Sequence, residues 1–230
     1  MAVGEDFLFL NQVIAAGHVR APCLEIGSLN HQGGPYGNCK FVIESHGLRY
    51  EGADLFPGPD VDHVLDFTSG EAVRATFQGR VFGTVLLFSL LEHAYDPIRL
   101  LDNALSVLGE DGALVISTPV VWELHGYPRD FWRINPDFYE AYAERNHLQL
   151  VRDHFVYLFH GQARPVGDFA RAGQRLLPSM ATGATAYGPV RYWYGRLVQR
   201  ALNTLGRSHP FTYTALGCVL VKPTAEPRPR

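Results

Sequence analysis

The sequence predicts an α/β fold: a single domain with one doubly wound, mostly parallel sheet of seven strands and helices on both faces. The last strand is expected to run antiparallel, after a helical insertion between the last two strands. Three observations carry this expectation. Short apolar runs alternate with amphipathic ones from residue 21 onward, and strands separated by helices imply parallel pairing through right-handed crossovers. The run "FGTVLLFSLLEH" is apolar without alternation, as a strand covered on both faces should be. The helical runs carry start and stop signals, clearest in "DPIRLLDNALSVLGEDG".

Residues 1–20 read as an N-terminal helix, with Asp6 as cap and Gly17 as stop. The core follows at 21–159. "PCLEIGS" is a first strand, "NCKFVIESHG" a helix closed by Gly47, and "LRYEGADL" a second strand ending at Asp54. "VDHVLDF" is a third strand closed by Asp66, and Thr68 or Ser69 caps the helix in "TSGEAVRATF". The fourth strand precedes a helix with Asp96 as cap, Pro97 in its first turn and Leu100, Leu101, Ala104, Leu105 and Leu108 on one face. "ALVISTP" is a fifth strand. "NPDFYEAYAERN" is a helix capped by Asn135, and "LQLVRDHFVYLF" is a sixth strand. Residues 160–210 form the insertion, 211–222 the last strand ("FTYTALGCVLV"), and 223–230 a loose tail.

Composition excludes little but bounds much. A net charge of −3 gives no reason to expect nucleic-acid binding, so DNA is not an expected partner. Cys23, Cys39 and Cys218 are odd in number and lack metal-type spacing, which points to reduced thiols and a cytoplasmic protein. The N-terminal stretch is acidic where a signal peptide is basic, and its apolar run is too short to span a bilayer.

In such sheets ligands bind at the carboxyl ends of the strands, where strand order reverses. Acids fall at three consecutive ends: Glu25, Asp54 and Asp66. A carboxylate beyond a second strand can accept both ribose hydroxyls at once. Alone, each would more often be a turn former or a helix cap; in register beside the small-residue turn "GSLN", they point to a nucleoside site.

At these residues the chain resembles the class I, Rossmann-like S-adenosylmethionine-dependent methyltransferases, in particular the type 11 methyltransferase domain. "LEIGS" is similar to that family's first motif, and "YEGADLFPGPDVDHVLDF" to its second and third. "FGTVLLFSLLEHAYDP" with "LLDNALSVLGEDGALVISTP" resembles its fourth-to-fifth-strand segment. "HGYPRDFWRINPDFYEAYAER" is similar to a tail motif of one branch. The resemblance implies S-adenosylmethionine as cofactor and gives roles to particular residues. Glu25 would orient the turn, and Gly27 with Ser28 would let the backbone approach the methionine portion. Asp54, with Leu55 beside it, would hold the ribose. Asp66 would accept from the adenine amino group while Phe67 covers the ring. The carbonyls of Phe88 and Ser89 would receive the cofactor ammonium. One departure stands out: Leu29 occupies a common second-glycine position, where Asn30 can supply left-handed backbone. A dehydrogenase is disfavoured because "GSLNHQGGPYG" lacks the G-x-G-x-x-G spacing that a dinucleotide pyrophosphate requires.

Transfer to a hydroxyl or amine needs a base at the acceptor. His93 and His125 are the catalytic candidates, although each has an alternative as a brace. Tyr127, Asp130 and Trp132 in "ELHGYPRDFW" are candidates for substrate contact, with clamping of that loop as the alternative. No metal is expected: relatives that bind a divalent cation do so through a Glu three residues before the Glu-His pair, together with that pair and a later histidine, and this chain has Ser89 in place of that first Glu. The 160–210 segment holds seven arginines against one acid, interleaved with Tyr187, Tyr192, Trp193 and Tyr194. It reads as a lid over an anionic or aromatic small molecule, with Tyr192 and Trp193 in the acceptor pocket. The alternative is a helical cap whose arginines pair with core acids or with a second subunit in a homodimer. No recognised RNA-binding motif accompanies it, so RNA is not expected. The expected activity is O- or N-methylation of a small molecule. The alternatives are a non-catalytic binding subunit of the same fold, or a cofactor-dependent cyclisation.

Overall fold

The computed structural model describes residues 4–31, 33–35, 37–126, 129–159, 162–167 and 214–224. In chain order the elements are α1 (Gly4–Ala15), β1 (Cys23–Ile26), α2 (Lys40–Ser45), β2 (Tyr50–Asp54), β3 (His63–Val64) and α3 (Gly70–Phe77). Next come β4 (Phe82–Phe88), α4 (Pro97–Ser106), β5 (Leu108–Val121) and α5 (Pro136–Arg145). The chain then forms β6 (Gln149–Leu150), β7 (Val156–Phe159), β8 (Gln162–Pro165) and β9 (Thr214–Val221). All belong to one sheet, ordered β3-β2-β1-β4-β5-β9-β7-β8, with β6 also on β9. Pairings from β3 to β5 are parallel, and β9 runs antiparallel to β5, β6 and β7.

The two faces follow from strand periodicity. Leu24, Ile26, Val85, Leu87, Leu114 and Ile116 point to one side, where α3, α4 and α5 cover them with Phe77, Leu101 and Tyr139. Cys23, Leu86, Phe88, Ala113 and Val115 point to the other, under α1 and α2 with Phe9, Leu10 and Ile43. A Cβ on Gly217 would lie 2.9 Å from Phe9, so the glycine in β9 is what lets α1 sit against the sheet. Asp96 caps α4 by accepting from the Arg99 amide, and Ser69 rather than Thr68 caps α3.

Several expectations need correction. Among the described residues the sheet has nine strands, because the expected sixth strand is broken by a turn at Arg152–His154 and β8 pairs with β7 as a hairpin. Gln162–Pro165 of the 160–210 segment form β8, and its helix-like runs beyond Gly167, with Tyr192 and Trp193, lie outside the described residues. The third strand ends at Val64, two residues short of Asp66. Asp6 is not a cap: it is fully buried within α1 and accepts from the Ser117 hydroxyl at 2.5 Å. Asn135 stands at the cap position of α5 but makes no capping bond.

One ion-pair cluster anchors the β2–β3 edge. The Glu51 carboxylate accepts from His63, Arg80 and Arg49 at 2.9, 2.7 and 2.9 Å. Burial alone would raise its pKa, but bonds from His63 and Arg80 and the arginine charges outweigh it and hold the group below its usual range. A depressed folded-state pKa contributes stability above the unfolded value, lost as pH falls through the folded one. Glu51→Gln should therefore cost about 1–2 kcal/mol near pH 7, and denaturant melts of the two proteins should converge as pH falls through the lowered folded-state pKa.

Candidate functional site

The strand order reverses between β1 and β4, and a cavity of about 520 Å³ opens there beyond the strand ends. Glu25, Gly27, Asp54, Leu55, Asp66, Phe67, Phe88, Ser89, His93 and His125 all line it. Residues spread over a hundred positions of sequence thus meet at one crevice. Ser28 does not: it is fully buried and its hydroxyl bonds the Asp60 carbonyl, away from the cavity.

Glu25 is almost wholly buried, and its Oε2 accepts from the Cys39 amide at 2.9 Å and the Tyr50 hydroxyl at 2.7 Å. Burial pushes its pKa up while those two bonds pull it back. The backbone amide it meets thus belongs to the start of α2, not to the glycine turn. Asp54 serves the turn instead: its Oδ2 accepts from the Leu29 amide and its Oδ1 from the Phe56 amide. Each oxygen keeps lone-pair capacity toward the cavity. Asp66 is exposed at the rim, with Oδ1 accepting from the Thr68 amide and hydroxyl. The Phe67 ring packs on Phe77, at 5.9 Å between centroids.

The turn after β1 closes without the usual run of glycines. Gly27 has φ +84°, a backbone angle that favours glycine, and a Cβ there would press on the tip of the Leu90 side chain at 3.0 Å. Asn30 does not adopt left-handed backbone, contrary to expectation. Its side chain ties the loop down instead, donating to the Gly34 carbonyl and to Asp60. Asp60 also receives Asn38 and Lys40, so one carboxylate gathers three donors across the turn. Leu29 lines the cavity with its side chain resting on Gly58, where a Cβ would lie 2.3 Å from its Cδ1. It walls the crevice without filling it.

At the far end, Ser89 turns the chain out of β4 with φ +47°, a sparsely populated angle for a residue with a Cβ. His93 follows: its Nδ1 lies 2.6 Å from the Arg129 carbonyl, which fixes the proton there and leaves the lone pair on Nε2. Burial lowers its pKa, favouring the neutral ring. His125 packs edge-on to His93 with centroids 4.9 Å apart. Its Nδ1 is 3.1 Å from both the Glu123 carbonyl and Asp130 Oδ2, so its lone pair also resides on Nε2.

Asp130 and Trp132, expected at the substrate, are braces among the described residues. Both Asp130 oxygens bond Arg133, which holds its pKa down at about 2, and Oδ2 also accepts from the His125 amide. The Trp132 indole donates to the Ala94 carbonyl. Neither lines the cavity. Tyr127 lies outside the described residues. Sequence reasoning missed His31, Leu90 and Ala94 in the wall, and weighed Glu92, behind it, only as part of the Glu-His pair. For Glu92 a signal existed: a carboxylate inside the apolar run "SLLEH", the same anomaly that Glu25 presents in "CLEIG".

A parallel sheet ordered in this way, with an antiparallel strand beside the fifth and a crevice at the switch point, is the Rossmann-like fold of the class I S-adenosylmethionine-dependent methyltransferases. Solved structures bear this out at low identity. A methyltransferase from Archaeoglobus fulgidus is 12% identical with a TM-score of 0.55, covering 95% of each chain. Phosphoethanolamine N-methyltransferase 2 of Haemonchus contortus, solved with S-adenosyl-L-methionine, is 15% identical with a TM-score of 0.51. That match covers 93% of this chain and 53% of the other, so this chain spans about half of that enzyme. The [4+2]-cyclase SpnF is also 15% identical, at a TM-score of 0.51, covering 94% of this chain and 82% of its own. No family model matches the sequence, and no curated protein does. Among the described residues no helix is long and apolar enough to cross a membrane.

Proposed function

We propose that this chain transfers the methyl group of S-adenosylmethionine to oxygen or nitrogen of a small-molecule acceptor. The observation that carries the reading is the cavity itself. Glu25, Asp54 and Asp66 stand at its β1–β3 end, and two imidazoles with free Nε2 lone pairs stand beyond β4. The acidic end suits a cofactor that carries a sulfonium and an ammonium. Asp54 would hold the ribose hydroxyls, Asp66 the adenine amino group, and the Phe88 and Ser89 carbonyls the ammonium.

Methyl transfer is an in-line displacement in which the cofactor supplies the reactivity. The protein holds the nucleophile about 3 Å from the methyl and excludes water. His93 and His125 would receive the proton of a hydroxyl or amine acceptor. Arg129, Glu123 and Asp130 hold the two rings in the tautomer this requires.

Calorimetry of the folded protein with S-adenosylhomocysteine tests the cofactor assignment: one site is expected, and absence of binding ends the proposal. Product mass tests the reaction, since methylation adds one CH₂ to the acceptor. A second reading, a cyclisation on the same fold, is favoured by the likeness to a cyclase; it predicts a product of unchanged mass. Cofactor binding without turnover of any acceptor would favour a non-catalytic subunit.

A further inference from the structure

We propose that Asp6 of α1 is a positioning residue for the cofactor's ammonium group, acting through Ser117 on the end of β4. The inference rests on the cofactor assignment above and extends it to the N-terminal helix. Asp6 is fully buried and does not line the cavity. Its Oδ1 accepts from the Ser117 hydroxyl at 2.5 Å, a short charge-assisted bond. Ser117, also fully buried, pairs with Phe88, and its carbonyl accepts from the Ser89 amide at 2.9 Å. The amide and the carbonyl of one trans peptide point in opposite directions. Anchoring the Ser89 amide on β5 therefore turns the Phe88 carbonyl the other way, toward β1, where the cavity opens.

Two contacts seat α1 for this task. Asp6 and Phe9 stand three residues apart, on one face of the helix. They meet Ser117 and Gly217, which pair directly across β5 and β9. Phe9 also packs on Phe88 with ring centroids 6.5 Å apart, so the helix touches the last residue of β4 itself. Phe88 and Ser89 both line the cavity. Holding the helix in place needs no charge. An apolar side chain at position 6 would do so without the cost of burying a carboxylate. The charge points to a task beyond packing.

That charge has the sign the ligand needs. Glu25 is almost wholly buried at the end of β1, and Asp6 stands near it. Burial first, then the charges of Glu25 and Asp6, push the thiol of Cys39 well up. Two buried carboxylates behind the ends of β1 and β5 make that side of the crevice electronegative, and such charges act most strongly where water is excluded. An ammonium at the Phe88 and Ser89 carbonyls is thus favoured twice, by acceptors aimed at it and by the charge behind them. Ser89 makes the aim matter: at φ +47° it holds a sparsely populated conformation. Such angles persist only where the surroundings fix them, and the Ser117–Asp6 contact is part of that fixing.

The test is calorimetry of the full chain with two ligands, S-adenosylhomocysteine and 5′-methylthioadenosine. The second keeps the nucleoside and the sulfur but lacks the amino-acid end. Asp6→Ala should weaken S-adenosylhomocysteine binding by about tenfold, the effect of losing one charge-assisted hydrogen bond, and leave 5′-methylthioadenosine binding within about twofold. Ser117→Ala removes the hydroxyl and should show the same selective loss, which keeps the test decisive if Asp6→Ala does not fold. Asp6→Asn keeps the shape and an oxygen acceptor, and should restore part of the affinity. Circular dichroism confirms that each variant is folded. Unchanged affinity for S-adenosylhomocysteine in the folded variants, or equal loss of both ligands, overturns the proposal. Wild type that binds neither ligand fails the cofactor assignment itself, and this inference with it.

Discussion

Replacing Asp54 with alanine should weaken S-adenosylhomocysteine binding by about 100-fold or more while leaving a folded protein. The carboxylate ends β2 at the cavity wall and already fixes the turn through the Leu29 and Phe56 amides. Two charge-assisted bonds to ribose hydroxyls are worth about 1.5–3 kcal/mol each, and every 1.4 kcal/mol is roughly tenfold in affinity. A loosened turn would also lower affinity, so the nucleoside must be varied as well. Wild type should prefer adenosine to 2′-deoxyadenosine, and Asp54→Ala should lose that preference. If calorimetry finds affinity unchanged in the variant, the ribose is held elsewhere.

The second large effect is expected at Glu25. Its alanine variant would leave the Cys39 amide and the Tyr50 hydroxyl buried without an acceptor, beside a new void. Each unsatisfied donor costs about 1–3 kcal/mol, so a total near 3–5 kcal/mol follows. For a chain of this size that corresponds to a melting-temperature drop of roughly 10 °C. Glu25→Gln keeps the shape and one oxygen acceptor and should fall much less. Melting curves by circular dichroism decide it: alanine and wild-type proteins that unfold within a degree or two would show that the carboxylate holds nothing together.

How much of this was legible beforehand depended on whether the signal was local. The α4 segment could be read because its cap, its proline and its apolar spacing are contiguous; the structure keeps the cap, the proline and the buried Leu100, Leu101 and Ala104, but ends the helix at Ser106, so that Leu108, expected on its face, opens β5. The parallel core was legible for the same reason, since periodicity of 2 or of 3.6 is written into neighbouring residues. The break between β6 and β7 was not. "LQLVRDHFVYLF" has strand composition throughout, and only its pairing along β9 shows where the chain leaves the sheet. Asp6 shows the same limit: an acid in a first turn reads as a cap, whereas its partner, Ser117, lies 111 residues away.

The sequence alone determined the class of the fold and the strand ends at which Glu25 and Asp54 stand, because strand periodicity is a local pattern; it placed Asp66 at the end of a strand that stops two residues earlier. The tertiary structure decided what each polar group touches. It turned Ser28 out of the crevice, set Asp130 on Arg133 and brought Glu92 between two imidazoles. Hydrogen bonds act over about 3 Å, a distance that spacing along the chain does not encode. Only the packed sheet and its loops bring such partners within reach.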